Sequence, residues 1–557
     1  MFDARKTLSA ISATAVLVLS ACSSPEVPAD LILTGGRVWT GVPGQPLAQA
    51  LAVKGGFVQA VGSNREIRAL KGRETEVVRL KQRMVVPGFI DSHTHFIAGG
   101  FQLSSVDLRD ADSPEELGRR IYEFALGLDE GEWIVGGDWD HEMWGGELPR
   151  RDWIDAATFT NPVFISRLDG HMALANSLAL ELAGITASTP VPPGGEIVLD
   201  PGTGEPTGIL KDEAMSLVTA VIPEPSEEAL DRALDDAIAY SLSKGVTQTH
   251  NMGTWDELEA FRRAREDGRL KMRVYSVVPL STWEGLRDFV GENGRGDDLL
   301  WWGGLKGFVD GSLGSTTAWF YEPYSDDPGT SGLLLTDTAS LRQWAYAADE
   351  AGLQLITHAI GDQANDWLLD VYAGAIERNG PGDNRFRIEH AQHLSPDAFQ
   401  RFEELGVVPA MQPYHAIDDG RWAEKRIGPE RIKTTYAFKS LLDHGAILSF
   451  GSDWTVAPMD VLTGIYAALT RRTTDGANPD GWVPEEKISL EDALRAYTWG
   501  SAYAGFMEDK VGQLVAGKYA DLVVLSEDLF QVDPVEIPSV QVDLTMVSGE
   551  IVYEKED

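Results

Sequence analysis

From Ala29 to about Val85 the chain is written in short apolar runs separated by glycine turns: Leu31-Ile32-Leu33, Gly35-Gly36-Arg37-Val38-Trp39, Ala50-Leu51-Ala52-Val53 and Phe57-Val58-Gln59-Ala60-Val61-Gly62. That spacing predicts hairpin-linked strands. The other end repeats the style in Ala520-Asp521-Leu522-Val523-Val524-Leu525, Leu544-Thr545-Met546-Val547 and Gly549-Glu550-Ile551-Val552-Tyr553. Two β-rich ends around a long α/β middle predict one small β-sandwich domain assembled from both chain ends. In the middle, apolar strand-like runs alternate with amphipathic helices, the pattern of a parallel sheet. The strand candidates are Val85–Ile90, Gly245–His250, Met272–Val278, Leu305–Val309, Leu353–Thr357, Phe386–Glu389, Val407–Met411 and Ala446–Phe450. Helices such as Ala339–Ala351, Asp362–Glu377 and Ser489–Tyr497 lie between or after them. Eight strands are what a closed (β/α)8 TIM-like barrel requires.

The stretch between the first and second of these strands is too long for one helical crossover. It carries two further strand-like runs, Trp133–Val135 and Val163–Ile165, and a Pro/Gly-rich loop at Pro190–Gly208. It is expected to be an insertion, at about 100–235, lying over one end of the barrel. The whole chain then divides into a signal segment (1–21), a tether (22–29), the first part of the β-sandwich (30–85), the barrel (86–504) and the second part of the β-sandwich (505–557).

Charge narrows the function. Lys and Arg number 47 against 86 Asp and Glu, a formal net charge of −39, which excludes a polyanion such as nucleic acid as partner. The first residues read as a targeting segment: Arg5 and Lys6 precede an apolar run from Ala10 to Ala21 that is too short to span a bilayer as a mature helix. It ends in Leu19-Ser20-Ala21-Cys22, which resembles the lipobox of bacterial lipoproteins, and Cys22 is the only cysteine. The expectation is lipidation at Cys22 and a membrane anchor, with Ser23 after the cysteine favouring the outer membrane, facing the periplasm. One cysteine also means that no disulfide can form within the chain. Oligomeric state is left open.

The histidines carry the chemistry. His93 and His95 follow the apolar run that ends at Ile90, and on an extended chain residues i and i+2 point the same way, so both imidazoles can grip one ion. His358 ends the strand Leu353–Thr357 and His390 ends Arg387-Ile388-Glu389, one βα unit further on. Asp453 follows Ala446–Phe450. A barrel gathers the C-terminal ends of its strands around one mouth, so these five residues are expected to converge as metal ligands. Lys306, inside the apolar stretch Trp301–Val309, is costly to bury as an ammonium. A buried neutral amine can take up CO2 to give a carbamate, an anionic ligand able to bridge two cations.

Read together and in order, these blocks resemble the amidohydrolase superfamily, and within it the amidohydrolase-3 branch with its YtcJ-like and N-substituted formamide deformylase-like members. The resemblance runs through Leu33-Thr34-Gly35-Gly36-Arg37-Val38, Val86-Pro87-Gly88-Phe89-Ile90-Asp91-Ser92-His93-Thr94-His95, Lys306, Asp310-Gly311-Ser312-Leu313-Gly314-Ser315, His358-Ala359-Ile360-Gly361-Asp362, Ile388-Glu389-His390-Ala391, Gly451-Ser452-Asp453 and Gly512 to Val523. It implies a binuclear site of the zinc type, two Zn2+ or else Mn2+, Co2+ or Fe2+, held by His93, His95, His358, His390, Asp453 and a carboxylated Lys306. Such a pair, about 3.5–4 Å apart, lowers the pKa of a shared water from about 15.7 toward 7 and supplies hydroxide to attack an amide-like small molecule. Asp453 then carries the proton from the nucleophile to the leaving amine. Asp169-Gly170-His171-Met172-Ala173 is similar to a block that contributes a pocket histidine in this branch, so His171 is the candidate for holding the substrate carbonyl or oxyanion. Trp139, Trp319 and His250 are expected to line the substrate pocket. Glu389 reads as a supporting carboxylate rather than a ligand.

Other classes make different demands. A deaminase of a cyclic amidine holds one metal and needs no bridging lysine. A non-catalytic surface lipoprotein on the same fold binds metal without turnover. A glycosidase, suggested by 16 Trp and abundant acids, needs a working carboxylate pair and no metal.

Overall fold

Gly88 divides the apolar run after Gln82 into two strands that enter different sheets. In the computed structural model, which describes residues 27–45 and 47–556, Met84–Pro87 joins the sheet built from the chain ends and Phe89–Thr94 opens the barrel. The expected single strand Val85–Ile90 is corrected accordingly. The close packing of two sheets at this point is the reason: a Cβ on Gly88 would lie 2.2 Å from Thr247 Oγ1, and its N–H bonds Asp521 O at 2.9 Å. A Gly88→Ala variant is therefore expected to lose about 1–3 kcal/mol of stability through overpacking, read as a lower apparent Tm. The targeting segment and Cys22 lie outside the described residues.

The barrel strands are β1 (Phe89–Thr94), β2 (Val246–Met252), β3 (Arg273–Pro279), β4 (Leu300–Phe308), β5 (Gln354–Ala359), β6 (Arg387–His390), β7 (Val408–Met411) and β8 (Ser449–Phe450). All are parallel and each pairs with the next, an arrangement that needs a crossover connection between neighbours. β1 and β8 meet just beyond the end of β8: Asp453 N–H donates to His93 O at 2.8 Å and His95 N–H to Trp454 O at 2.6 Å. Closure of the ring thus sets Asp453 beside His93. His93 and Thr94 lie on the strand itself, since β1 runs through the polar residues that follow Ile90.

The strands from the two ends form one eight-stranded sheet in which Leu522–Leu525 pairs with Met84–Pro87, and Met84–Pro87 with Ala29–Val38. Its apolar face encloses Leu33, Leu51, Val85, Leu522 and Val524. It is fastened to the barrel by a buried ion pair from Arg273 on β3 to Asp521, 2.6 Å long.

Between β1 and β2 stands a six-stranded sheet whose strands lie between Val106 and Asp212. The region expected to be the loop Pro190–Gly208 contains instead Gly195–Leu199 and the start of Pro206–Asp212, an antiparallel pair. β-branched Ile197 pairs across to Leu210 of the second strand, and this pairing outweighs the flanking Pro and Gly. This sheet is tied to the barrel loops by Asp169, which accepts from Ser312 Oγ at 2.6 Å and pairs with Arg167 at 2.8 Å, and by an Arg421–Asp140 ion pair of 2.8 Å.

Candidate active site

At the C-terminal mouth of the barrel, His93 of β1, His390 of β6 and Asp453 after β8 come together, each offering a ligand atom within 4.8 Å of the other two. Both His390 and Asp453 have left-handed backbone, φ 71° and 60°, a conformation uncommon for side-chain-bearing residues. Such strain persists only where the surrounding structure holds it, and it collects at functional sites. Asp453 Oδ1 stands 3.4 Å from His93 Nε2 and 3.5 Å from His95 Nε2, yet it is buried with no hydrogen-bond partner. Burial disfavours the Asp453 carboxylate, but the neighbouring ring of His95, which unlike His93 keeps contact with solvent, outweighs it and holds the carboxyl well below the usual range.

One nitrogen of each ring is already engaged. His93 Nδ1 closely contacts Glu389 Oε2, and His390 Nδ1 lies 2.9 Å from Gln412 Oε1. Nε2 is therefore the nitrogen that each ring keeps as a lone pair. Burial pushes both imidazoles well below their ordinary pKa, which keeps them neutral. Neutral imidazoles, an ionised carboxylate and an orphaned buried oxygen form a donor set that fits a divalent cation.

Lys306 on β4 reaches the same place, its Nζ 3.3 Å from His93 Nε2. Burial lowers its pKa to about 8, against the opposing pull of Glu389 and Asp453. His358 of β5 packs on His390 with ring centroids 4.4 Å apart, while its Nε2 is 3.1 Å from Gly311 O. His95 lies on the outer side of the cluster with a side chain 36% exposed.

A cavity of about 310 Å³ opens over this cluster, walled by the insertion on one side and by the segment after β7, which includes the helix Pro413–Asp419, on the other. His171 enters it from the insertion. Its Nδ1 bonds Asp212 Oδ1 at 2.7 Å, and its ring lies 5.4 Å from that of His358. Burial opposes protonation of His171, but the bond to Asp212 prevails and raises its pKa above the ordinary value. Asp212 and the lining residues Arg167, His415 and Trp422 carried no assignment in the sequence. A signal for Arg167 exists, a charged residue closing the apolar run Val163–Ile165.

Three expected pocket residues are placed elsewhere. Trp139 is fully buried in the core of the insertion, where its indole N–H donates to Ile165 O at 2.9 Å. Trp319 packs against the barrel core in a turn held by Asp310, which accepts its backbone N–H at 2.7 Å. His250 is buried inside the barrel beneath the cluster, 2.9 Å from an Arg387 nitrogen. All three lie off the cavity lining.

The model of the Amidohydrolase family matches residues 76–553. The protein LONG AFTER FAR-RED 3 of Arabidopsis thaliana is 41% identical over 540 residues, which is 95% of this chain and 92% of that protein. An N-substituted formamide deformylase of Arthrobacter pascens is 30% identical over 553 residues, covering 94% of this chain and 98% of the other. Among solved structures, a metal-dependent hydrolase of Pyrococcus horikoshii superposes with a TM-score of 0.74 at 31% identity, over 90% of this chain and 99% of that one.

Proposed function

Because the chain belongs to the amidohydrolase family, we propose that it hydrolyses the C–N bond of a small amide, an N-substituted formamide or a related N-acyl compound. The observation that carries this is the convergence of His93, His390 and Asp453 under a cavity, with one carboxylate oxygen left without a partner. The named activity of the Arthrobacter pascens relative supports the substrate class.

His93, His95, His358, His390 and Asp453 would hold two divalent cations, and Lys306 as a carbamate would add an anionic oxygen ligand. Bound cations supply Lewis-acid polarisation of the carbonyl and acidify water. The lysine is poised for its part: its neutral amine adds to the carbon of CO2, forms an N–C bond as one C–O π bond opens onto oxygen, and gives up one proton to solvent, so that a neutral amine becomes an anionic ligand. Asp453 Oδ1 receives the proton of the attacking water and returns it to the leaving nitrogen, which cannot depart as an anion. His171 donates from Nε2 to the carbonyl oxygen as negative charge develops there. Phe308 and Leu313 give the cavity an apolar wall beside these groups.

Elemental analysis joined to a hydrolysis assay tests the proposal. The protein is expected to carry about two divalent metals per chain and to release amine and formate from N-substituted formamides. A chelator should abolish turnover, and Lys306→Ala should lower the metal content. Wild-type protein with no bound metal, or loaded protein that cleaves no amide, would overturn it.

A further inference from the structure

Beneath the cluster the barrel interior holds charged side chains that the proposed reaction does not use. Arg387 and Glu389 stand two residues apart on β6, so both point inward, and both are fully buried. Arg387 reaches across the barrel. Its Nε donates to Glu389 Oε1 at 2.8 Å and one terminal nitrogen to Oε2 at 3.1 Å. That same nitrogen donates to Ser92 O on β1 at 2.7 Å, and the other to His250 Nδ1 on β2 at 2.9 Å. Glu389 Oε2 also meets His93 Nδ1. Arginine only donates and a carboxylate only accepts. Glu389 is therefore surrounded by donors, and the proton on the His93 ring has to sit on Nδ1. His250 in turn accepts at Nδ1, which leaves its Nε2 to carry the proton; Gln248 lies 3.0 Å from it and accepts that proton with its side-chain amide turned so that Oε1, otherwise buried without a partner, faces the ring.

We propose that Arg387 and Glu389 are positioning residues of the metal centre: Glu389 fixes the tautomer and ring angle of His93, and Arg387 acts through Glu389. This rests on the reading of His93 as a ligand. Metal affinity then depends on an arginine that contacts no metal. The alternative is a pair that merely fills the barrel interior, with His93 indifferent to it. Glutamine at position 389 separates the two, because an amide has one acceptor oxygen where the carboxylate has two. Its NH2 must face either Arg387 or His93 Nδ1, and the second arrangement moves the His93 proton to the nitrogen that should bind metal.

The test is competition for Zn2+ between the protein and a chromophoric chelator, using wild type, Glu389→Gln, Arg387→Lys and the double variant, with far-UV circular dichroism to confirm folding. Arg387→Lys keeps the charge and loses the fork. Each single variant is expected to bind Zn2+ about 10–100-fold more weakly. The double variant should bind no more weakly than Glu389→Gln alone, because two residues acting in series are not additive. Glu389→Gln, which preserves shape, carries the test if Arg387→Lys does not fold. Affinities unchanged in folded variants would overturn the proposal while leaving the metal centre standing. Losses that add in the double variant would overturn the claim that Arg387 acts through Glu389. Wild-type protein that binds no Zn2+ would remove the ligand assignment of His93, and this inference with it.

Discussion

Asparagine at position 453 lowers kcat by about 10²- to 10⁴-fold, the usual contribution of a positioned acid–base group, while metal content stays at the wild-type level. The substitution is chosen to change one property. Asn has the shape of Asp and tolerates left-handed backbone, so φ 60° at this position costs it little. Its backbone N–H still donates to His93 O, the 2.8 Å bond that helps close the barrel. The carbonyl oxygen of an amide remains a ligand of hard cations. What disappears is a carboxylate held ionised against burial by its neighbour His95, with an oxygen that has no partner of its own. An amide cannot carry the proton from the nucleophile to the leaving nitrogen. Steady-state kinetics and elemental analysis on the same preparation decide the matter: wild-type turnover with metal retained removes Asp453 from proton transfer.

The convergence of His93, His390 and Asp453 was legible because their spacing counts whole βα units, and a barrel turns that count into proximity. Eight apolar runs sufficed for the barrel without exact ends. Gly88 was not legible as a break, since the contact that demands glycine comes from Thr247, more than a hundred residues away and on another strand. The tryptophans misled for a related reason. Indole serves a core and a pocket equally well, and the sequence around Trp139 does not tell which face of its strand looks toward the insertion core. His250 ends a strand candidate and His358 follows one, yet His250 points to Arg387 below the mouth rather than into the cavity. Asp212 lies 41 positions from His171 and becomes its partner only through the antiparallel register that sets Met172 opposite Lys211. Such pairings follow from sheet register, and a single sequence does not display it.

That pairing governs the second large effect, a loss of about 10²- to 10³-fold in kcat for His171→Ala, the usual consequence of removing one donor to a developing oxyanion. The pH dependence follows from the hydrogen bonds. His171 gives its Nδ1 proton to Asp212, so Nε2 can donate into the cavity only when the ring is doubly protonated. Burial alone would suppress that form, whereas the bond to Asp212 and its charge raise the pKa above the ordinary 6.5 of histidine. The donor is thus present at pH below the raised pKa and lost as pH rises through it, which gives wild-type kcat an alkaline limb. Asp212→Asn removes the charge that raises the pKa, so the limb should shift to lower pH while His171 stays in place. His171→Ala should lower kcat across the range and erase that limb. Measurement of kcat from pH 5 to 10 in the three proteins checks both effects. A limb at the same pH in Asp212→Asn would mean that another group titrates, and full activity in His171→Ala would place the oxyanion donor elsewhere in the cavity.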